Sequence, residues 1–329
     1  MAVEILRVAG ARRNRPIVVL TGSLENLAIL AFAAAALEAP PFPIDPSLPT
    51  SIQSYLLWQA GDALVIGDDQ GVEIKSLISS GASAALAYAP PQGLALLIAT
   101  SGSSGAPKAA ILTGANLAAS AASAAAITPV GPGDRWLANL PLFHIGGFSV
   151  LARCAFAGAD LVLGDVFDPE RTLSILVAER ITQVSHTPSV LAQLVAHGPP
   201  PRSLRHALVG GASLVTRLTH EAAAVGWPFQ PTYEMTETSS QRDPSPPARR
   251  LAPRSDGKAS TPRRNRLDRG RTPESARSCK HVRLRQSGFE AGRWSARRLV
   301  HQQGHRRDFR FRRKRIDGAR RLTLGVAAP

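Results

Sequence analysis

Short apolar runs bounded by turn residues alternate with longer stretches of helical spacing through residues 1–240. Residues 17–20 form a β-rich run, and Thr21-Gly22-Ser23 supplies a turn and an N-cap for a helix over 24–37. Pro40, Pro41, Pro43, Pro46 and Pro49 predict an ordered connection that is not a helix. Helical spacing returns over 51–60, and 63–66 reads as a strand ending at Gly67-Asp68-Asp69. A buried strand at 96–99 runs into a loop at 100–108; 109–112 follow, and Thr113 leads a mostly alanine helix over 116–126, a composition suited to close packing. Gly131-Pro132-Gly133-Asp134 is a turn, and 136–140 a strand opening into Pro141-Leu142-Phe143-His144-Ile145-Gly146-Gly147. Beyond it, 161–163 reads as strand, 169–180 as a helix with Pro169 in its first turn, 181–184 as strand, and 189–196 as a helix after Thr187-Pro188. Residues 204–209 end at Gly210-Gly211-Ala212, and 231–241 close the pattern. Strand and helix in alternation predict an α/β fold with crossover helices, in which ligands sit at the carboxyl ends of strands. The loops after Ile98, Leu140 and Val209 and around Tyr233 are therefore expected to converge on one nucleotide.

The loop Thr100-Ser101-Gly102-Ser103-Ser104-Gly105-Ala106-Pro107-Lys108 has the chemistry of a polyphosphate cradle. Small residues let backbone N–H groups approach phosphate oxygens, hydroxyls donate, and the lysine adds a mobile positive charge. It is not a Walker A loop, because Pro107 precedes the lysine and Ala109 follows it. By itself it is equally a Ser/Gly-rich surface turn.

Charge divides the chain of 329 residues in two. From Gln241 onward 26 basic residues face 7 acidic ones, a net of +19, whereas the first 240 residues hold 13 against 17, a net of −4. Cys154 and Cys279 are isolated and fit neither a disulfide framework nor a metal knuckle, so a reducing, cytoplasmic setting is expected. Residues 1–15 have no continuous apolar core of a signal peptide, and the run at 27–37 is too short to span a bilayer; no membrane partner is expected.

The site loops resemble the signatures of the adenylate-forming superfamily, which includes acyl-CoA synthetases, luciferases and peptide-synthetase adenylation domains. Residues 100–108 look like its phosphate loop, Gly210-Gly211-Ala212 like its adenine-contacting strand end, and Tyr233-Glu234-Met235-Thr236-Glu237 like its Tyr-Gly-Met-Thr-Glu motif. Residues 141–147 and 226–241 look most like the o-succinylbenzoate–CoA ligases of menaquinone synthesis, although the first of these patterns also occurs in general acyl-CoA synthetases. The resemblance covers 17–241 and implies an AMP-binding adenylation domain over 1–241, trimmed at its front, with layered sheets and crossover helices. It further implies ATP, Mg2+ and, as co-substrate, CoA: a carboxylic acid is joined to AMP with loss of pyrophosphate, and the CoA thiol then displaces AMP. Thr100, Ser101, Gly102, Ser103, Ser104, Gly105 and Lys108 would wrap the β- and γ-phosphates; Gly210, Gly211, Ala212 and Tyr233, with Glu234 and Met235 beside it, would frame the adenine. Thr236 would bond the α-phosphate, Glu237 would help hold Mg2+, and His144, with Ser185 and Gly211, would border the acyl group. Lys108, His144, Thr236 and Glu237 are the candidate catalytic set. Read alone, His144 is a turn residue, Glu237 a helix-start carboxylate and Cys154 a core residue.

Two positions depart from the family's usual glycines, Ala109 mildly and Glu234 more seriously, since a carboxylate adds bulk and negative charge near phosphates. After Gln241 the family's ribose-binding aspartate, hinge and lysine-bearing C-terminal domain cannot be read. Residues 242–329 instead hold 23 arginines against 3 lysines without clear apolar period, and are expected to be largely disordered. A reading-frame shift in a GC-rich gene explains this: 299–309 and 318–321 can be back-read so that a neighbouring frame carries family-like segments, and codons that forbid such a frame would remove the idea. ATP binding is then expected to be weak and thioester formation severely impaired. The competing class is a basic nucleic-acid-binding protein, but the tail lacks interleaved aromatics, so only steeply salt-dependent, sequence-indifferent binding is expected.

Overall fold

The computed structural model describes residues 2–68, 86–88, 94–100, 107–164, 167–241, 283–284, 307–316 and 319–326. Among the described residues three larger sheets and a two-stranded ribbon organise the chain. Strands β1 (Ile17–Leu20), β2 (Pro41–Ile44) and β3 (Leu64–Gly67) form a parallel sheet in the order β2-β1-β3. Strand β4 (Leu86–Tyr88) follows, and strands β5 (Leu94–Thr100) and β6 (Lys108–Thr113) pair antiparallel beside the small parallel sheet. The large sheet is built on five parallel strands, β7 (Arg135–Ala138), β8 (Asp160–Leu163), β9 (Gln183–His186), β10 (His206–Val209) and β11 (Phe229–Pro231), in the order β11-β10-β9-β7-β8.

The apolar alternation along these strands sets the layers. Trp136 and Ala138, Leu161 and Leu163, and Leu208 face one core, whereas Leu137, Val162, Val184, Ala207 and Val209 face another. The first core is filled by the helices Leu24–Ala36 (α2), Gly114–Ala125 (α4) and Ile145–Ala157 (α5), which also meet Ile17, Val19, Leu96 and Ile98 of the smaller sheets. The second is covered by Pro169–Ala178 (α6), Pro188–His197 (α7) and Thr216–Val225 (α8). On the far side of the small sheets, Val18, Phe42 and Leu97 meet Leu56 and Ala60 of Thr50–Ala60 (α3). A short helix, Ala2–Val8 (α1), opens the chain and buries Leu6. The expected α/β architecture of layered sheets and crossover helices is what the chain forms. Among the described residues no helix is long and apolar enough to cross a membrane.

The proline-rich connection contains a strand where none was expected. β2 is an edge strand, paired only with β1 among the described residues, and the Ile17 N–H donates to Pro40 O at 2.9 Å just before it. Proline lacks only the donor, so it is tolerated at an edge. Within the tail expected to be largely disordered, the structure places Arg283–Leu284, Arg307–Ile316 and Ala319–Val326; the last two pair antiparallel, and Thr323 and Leu324 pair with Val162 and Leu161 of β8.

Alanine-rich α4 lies between sheets because small side chains allow close approach, and a capping box fixes where it starts. Thr113 Oγ1 accepts from the Asn116 N–H at 3.2 Å, and Asn116 Oδ1 accepts from the Thr113 N–H at 2.9 Å. Thr113→Ala is expected to cost about 1 kcal/mol in urea unfolding.

Candidate functional site

The segments that follow the carboxyl ends of β7, β10 and β11 meet one another at one edge of the large sheet. Thr100 ends β5, buried, and its register partner Lys108 opens β6, half-buried. Ser101, Gly102, Ser103, Ser104 and Gly105 lie outside the described residues. The loop's return is fixed by Gln59 of α3, whose amide donates to Pro107 O at 3.0 Å and accepts from the Ala109 N–H at 2.9 Å. Ala109 itself is fully buried, so the methyl in place of the family's glycine is accommodated.

After β7 the chain turns through Pro141 to His144, the N-cap of α5. A side chain on Gly147 would run into the Pro141 carbonyl oxygen, which is why a glycine follows this turn. His144 is exposed, with its ring edge-on to Phe143 at 4.9 Å. Surrounding protein draws its imidazole below 6.5, and Asp45, just beyond β2, opposes that.

Gly210 follows β10 so closely against the next segment that a Cβ there would stand 2.5 Å from Thr232 Oγ1. Gly211 has φ +80, and Ala212 is exposed. Tyr233 presents its ring to solvent at 60% exposure. Glu234–Met235 (β12) pairs antiparallel with Ser240–Gln241 (β13), and a single turn over Thr236–Thr238 joins them beside β6, with Thr236 and Glu237 half-buried. Glu234 reaches back to the α5 turn, its Oε2 2.8 Å from where a Gly146 Cβ would be. The structure thus brings together 141–147, Gly210 and 232–238, with the 236–238 turn against strand β6, which Lys108 opens. Ser185 is buried on β9 on the inner face of the large sheet, near the base of this edge.

Buried polar partners that the sequence did not announce hold the segment. Ser239 and Ser240 are buried; Ser120 of α4 donates to Ser239 O at 2.7 Å, and Arg153 of α5 donates to Ser240 Oγ at 3.2 Å. Gln230 and Thr128 meet at 3.1 Å beneath it. Cys154 lies in the core, where burial pushes its thiol up.

The edge suits a phosphate-bearing nucleotide. An exposed aromatic ring belongs to the segment packed against a side-chain-free strand end, and the same segment carries carboxylates and threonines. Among the described residues no three His, Cys, Asp or Glu side chains gather as a metal cage. One carboxylate, Glu237, is the arrangement magnesium accepts, since it keeps waters and takes the rest of its shell from phosphate oxygens.

Comparison with known proteins agrees with this geometry. The 2-succinylbenzoate–CoA ligase of Salmonella typhimurium is 30% identical over 235 residues, 70% of this chain and 50% of its own length. The o-succinylbenzoate coenzyme A synthetase of Bacillus subtilis solved in complex with AMP superposes with a TM-score of 0.69 at 27% identity, covering 75% of this chain and 54% of that one. The same enzyme with ATP and magnesium ion gives 0.67 at 26% identity, covering 75% and 55%. The chain spans half or less of the length of the curated relatives it matches. Residues 4–260 match the family described as AMP-binding enzyme, a span that holds the three sheet-end segments just described, and the chain belongs to that family.

Proposed function

We propose that the chain is the nucleotide-binding part of an ATP-dependent acid–CoA ligase acting on an o-succinylbenzoate-type acid. The observation that supports this most is the meeting of Gly210, the Thr232–Thr238 segment and the His144 turn at one sheet edge. In the reaction a carboxylate oxygen attacks the α-phosphorus of ATP, the bond to pyrophosphate breaks, and an acyl-adenylate forms. The CoA thiol then attacks the acyl carbon, AMP leaves, and the thiol proton passes to solvent. The first step brings two anions together, so its barrier falls with oriented donors and cations at the phosphates. Lys108 and the Thr236 hydroxyl are the donors for phosphate oxygens, and Tyr233 is the platform for the adenine. Glu237 would hold Mg2+, which when bound neutralises the polyphosphate and the leaving pyrophosphate. His144, kept mostly neutral, would border the acyl carboxylate as a hydrogen-bond donor without being a fixed charge. The relatives' names support the acid, and the two lone cysteines support a cytoplasmic setting.

Hydrolysis-resistant acyl-adenylate analogues test the acid without requiring turnover. The o-succinylbenzoyl analogue is expected to bind the full chain at least about tenfold tighter than benzoyl or octanoyl analogues, by calorimetry, one good polar contact being worth that much. Equal affinities would favour a general acyl- or aryl-CoA synthetase.

A further inference from the structure

Glu234 stands where the related motif has glycine, and its carboxylate turns inward among the site loops. Oε2 lies 2.8 Å from the Cβ position of Gly146, and Cδ 3.5 Å from that of Gly210. Oε1 accepts from Ser240 Oγ at 3.2 Å, and Ser240 Oγ accepts in turn from Arg153 Nη2 at 3.2 Å. Arg153 is 2% exposed, its guanidinium 5.6 Å from the centroid of the Trp136 ring, with Nε lacking any acceptor among the described residues. Burial pulls this guanidinium down to about 10, and Glu234 is the foremost charge opposing that fall. The bridging hydroxyl is placed at a conformational cost, because Ser239 and Ser240 have φ 60 and 105, where L-residues are rare. A buried cation with one hydroxyl and a ring face is under-satisfied without an anion nearby, and an anion beside a phosphate site repels ligand unless it is compensated. Each group answers the other's deficit.

We propose that Arg153 is a positioning residue: through the Ser240 hydroxyl it holds the Glu234 carboxylate against Gly146 and Gly210 and offsets its charge, so that the site accepts a phosphate-bearing nucleotide despite an anion in place of glycine. The inference rests on the nucleotide reading above. It separates charge from shape, and that is what its test reads.

The full chain and its R153M, E234Q and R153M/E234Q variants are titrated calorimetrically with ATP and with adenosine. R153M is expected to weaken ATP by about tenfold, as an uncompensated charge at close range in a half-buried site should, and to leave adenosine within about twofold. The double variant is expected to recover ATP affinity. E234Q alone, which leaves Arg153 unopposed, is expected to tighten ATP severalfold and serves if R153M does not fold. Equal losses for ATP and adenosine, or ATP affinity indifferent to R153M or E234Q, would overturn the inference. A wild-type chain that binds no ATP would instead overturn the nucleotide reading. The pair is then read from melting temperatures, where non-additive shifts of R153M and E234Q support it and additive shifts refute it.

Discussion

Gly210→Val is expected to lower ATP affinity by a factor of about a hundred while the chain remains folded by circular dichroism. A side chain here meets Thr232 Oγ1 at 2.5 Å, the Thr232 carbonyl oxygen at 3.3 Å and Glu234 Cδ at 3.5 Å. All three belong to the segment that carries Tyr233, and the carbonyl oxygen cannot swing aside as a flexible side-chain tip could. Overpacking of this kind costs about 1–3 kcal/mol, and the displaced ring and turn would lose their contacts with ligand as well. Gly211 offers a contrast. Its φ of +80 makes any side chain strained, but the nearest atom to a Cβ is Thr187 Cγ2 at 3.9 Å. Gly211→Ala should therefore cost about 1 kcal/mol of stability from backbone strain. Unchanged ATP affinity in the Gly210 variant would mean that the strand end does not border the ligand.

The second large effect is on acid stability. His186 closes β9 at 1% exposure; its Nδ1 faces Asn139 Nδ2 at 3.4 Å, and its Nε2 has no partner among the described residues. Burial lowers its pKa from 6.5 to about 3. As pH falls below 6.5 the unfolded chain takes up a proton at this residue and the folded chain does not, so the unfolded state binds more protons throughout that window. Stability from this group is complete above pH 6.5 and is lost towards pH 3, at about 1.4 kcal/mol per pH unit once well below 6.5. Urea midpoints of wild type and His186→Asn at pH 7.5, 6.0 and 5.0 are expected to converge as pH falls, because the variant lacks this titration. His144 and His206 shift in the same direction in both proteins and do not affect the comparison. Parallel pH slopes would contradict the assignment.

What could be read from the residues was the local pattern. Strand β1, helix α2 with its Ser23 cap and the alanine-rich α4 follow from short-range periodicity and capping, and each is where the spacing predicts it. Helix α5 is not announced by the sequence, because Gly146 and Gly147 suggest a loop; both sit in its first turn, where a Cβ on Gly147 would meet the Pro141 carbonyl and one on Gly146 the Glu234 carboxylate. Helix α8 also escaped notice, since among its residues only Leu218 and Ala222 are buried. In the tail, Ile316 pairs with Ala319, and the Asp317-Gly318 dipeptide between them is a hairpin signal that the arginine excess obscured.

The candidate site was legible as motifs and illegible as contacts. Tyr233 to Glu237 and Gly210 are visible in order along the sequence. Nothing local says that Ser239 bonds Ser120 across a separation of 119 residues, or that Arg153 reaches Ser240 across 87. Glu234 shows the limit most clearly. As a letter it is an intrusive charge, whereas in the fold it has Ser240 as a donor and a buried arginine behind that.

Calorimetric titration of the full wild-type chain with ATP, with and without magnesium, asks whether this sheet edge is a nucleotide site. One weak site per chain is expected, strengthened by magnesium, with the magnesium-dependent gain removed in Glu237→Gln. Absence of binding at millimolar ATP, or binding indifferent to both magnesium and Glu237, would contradict it.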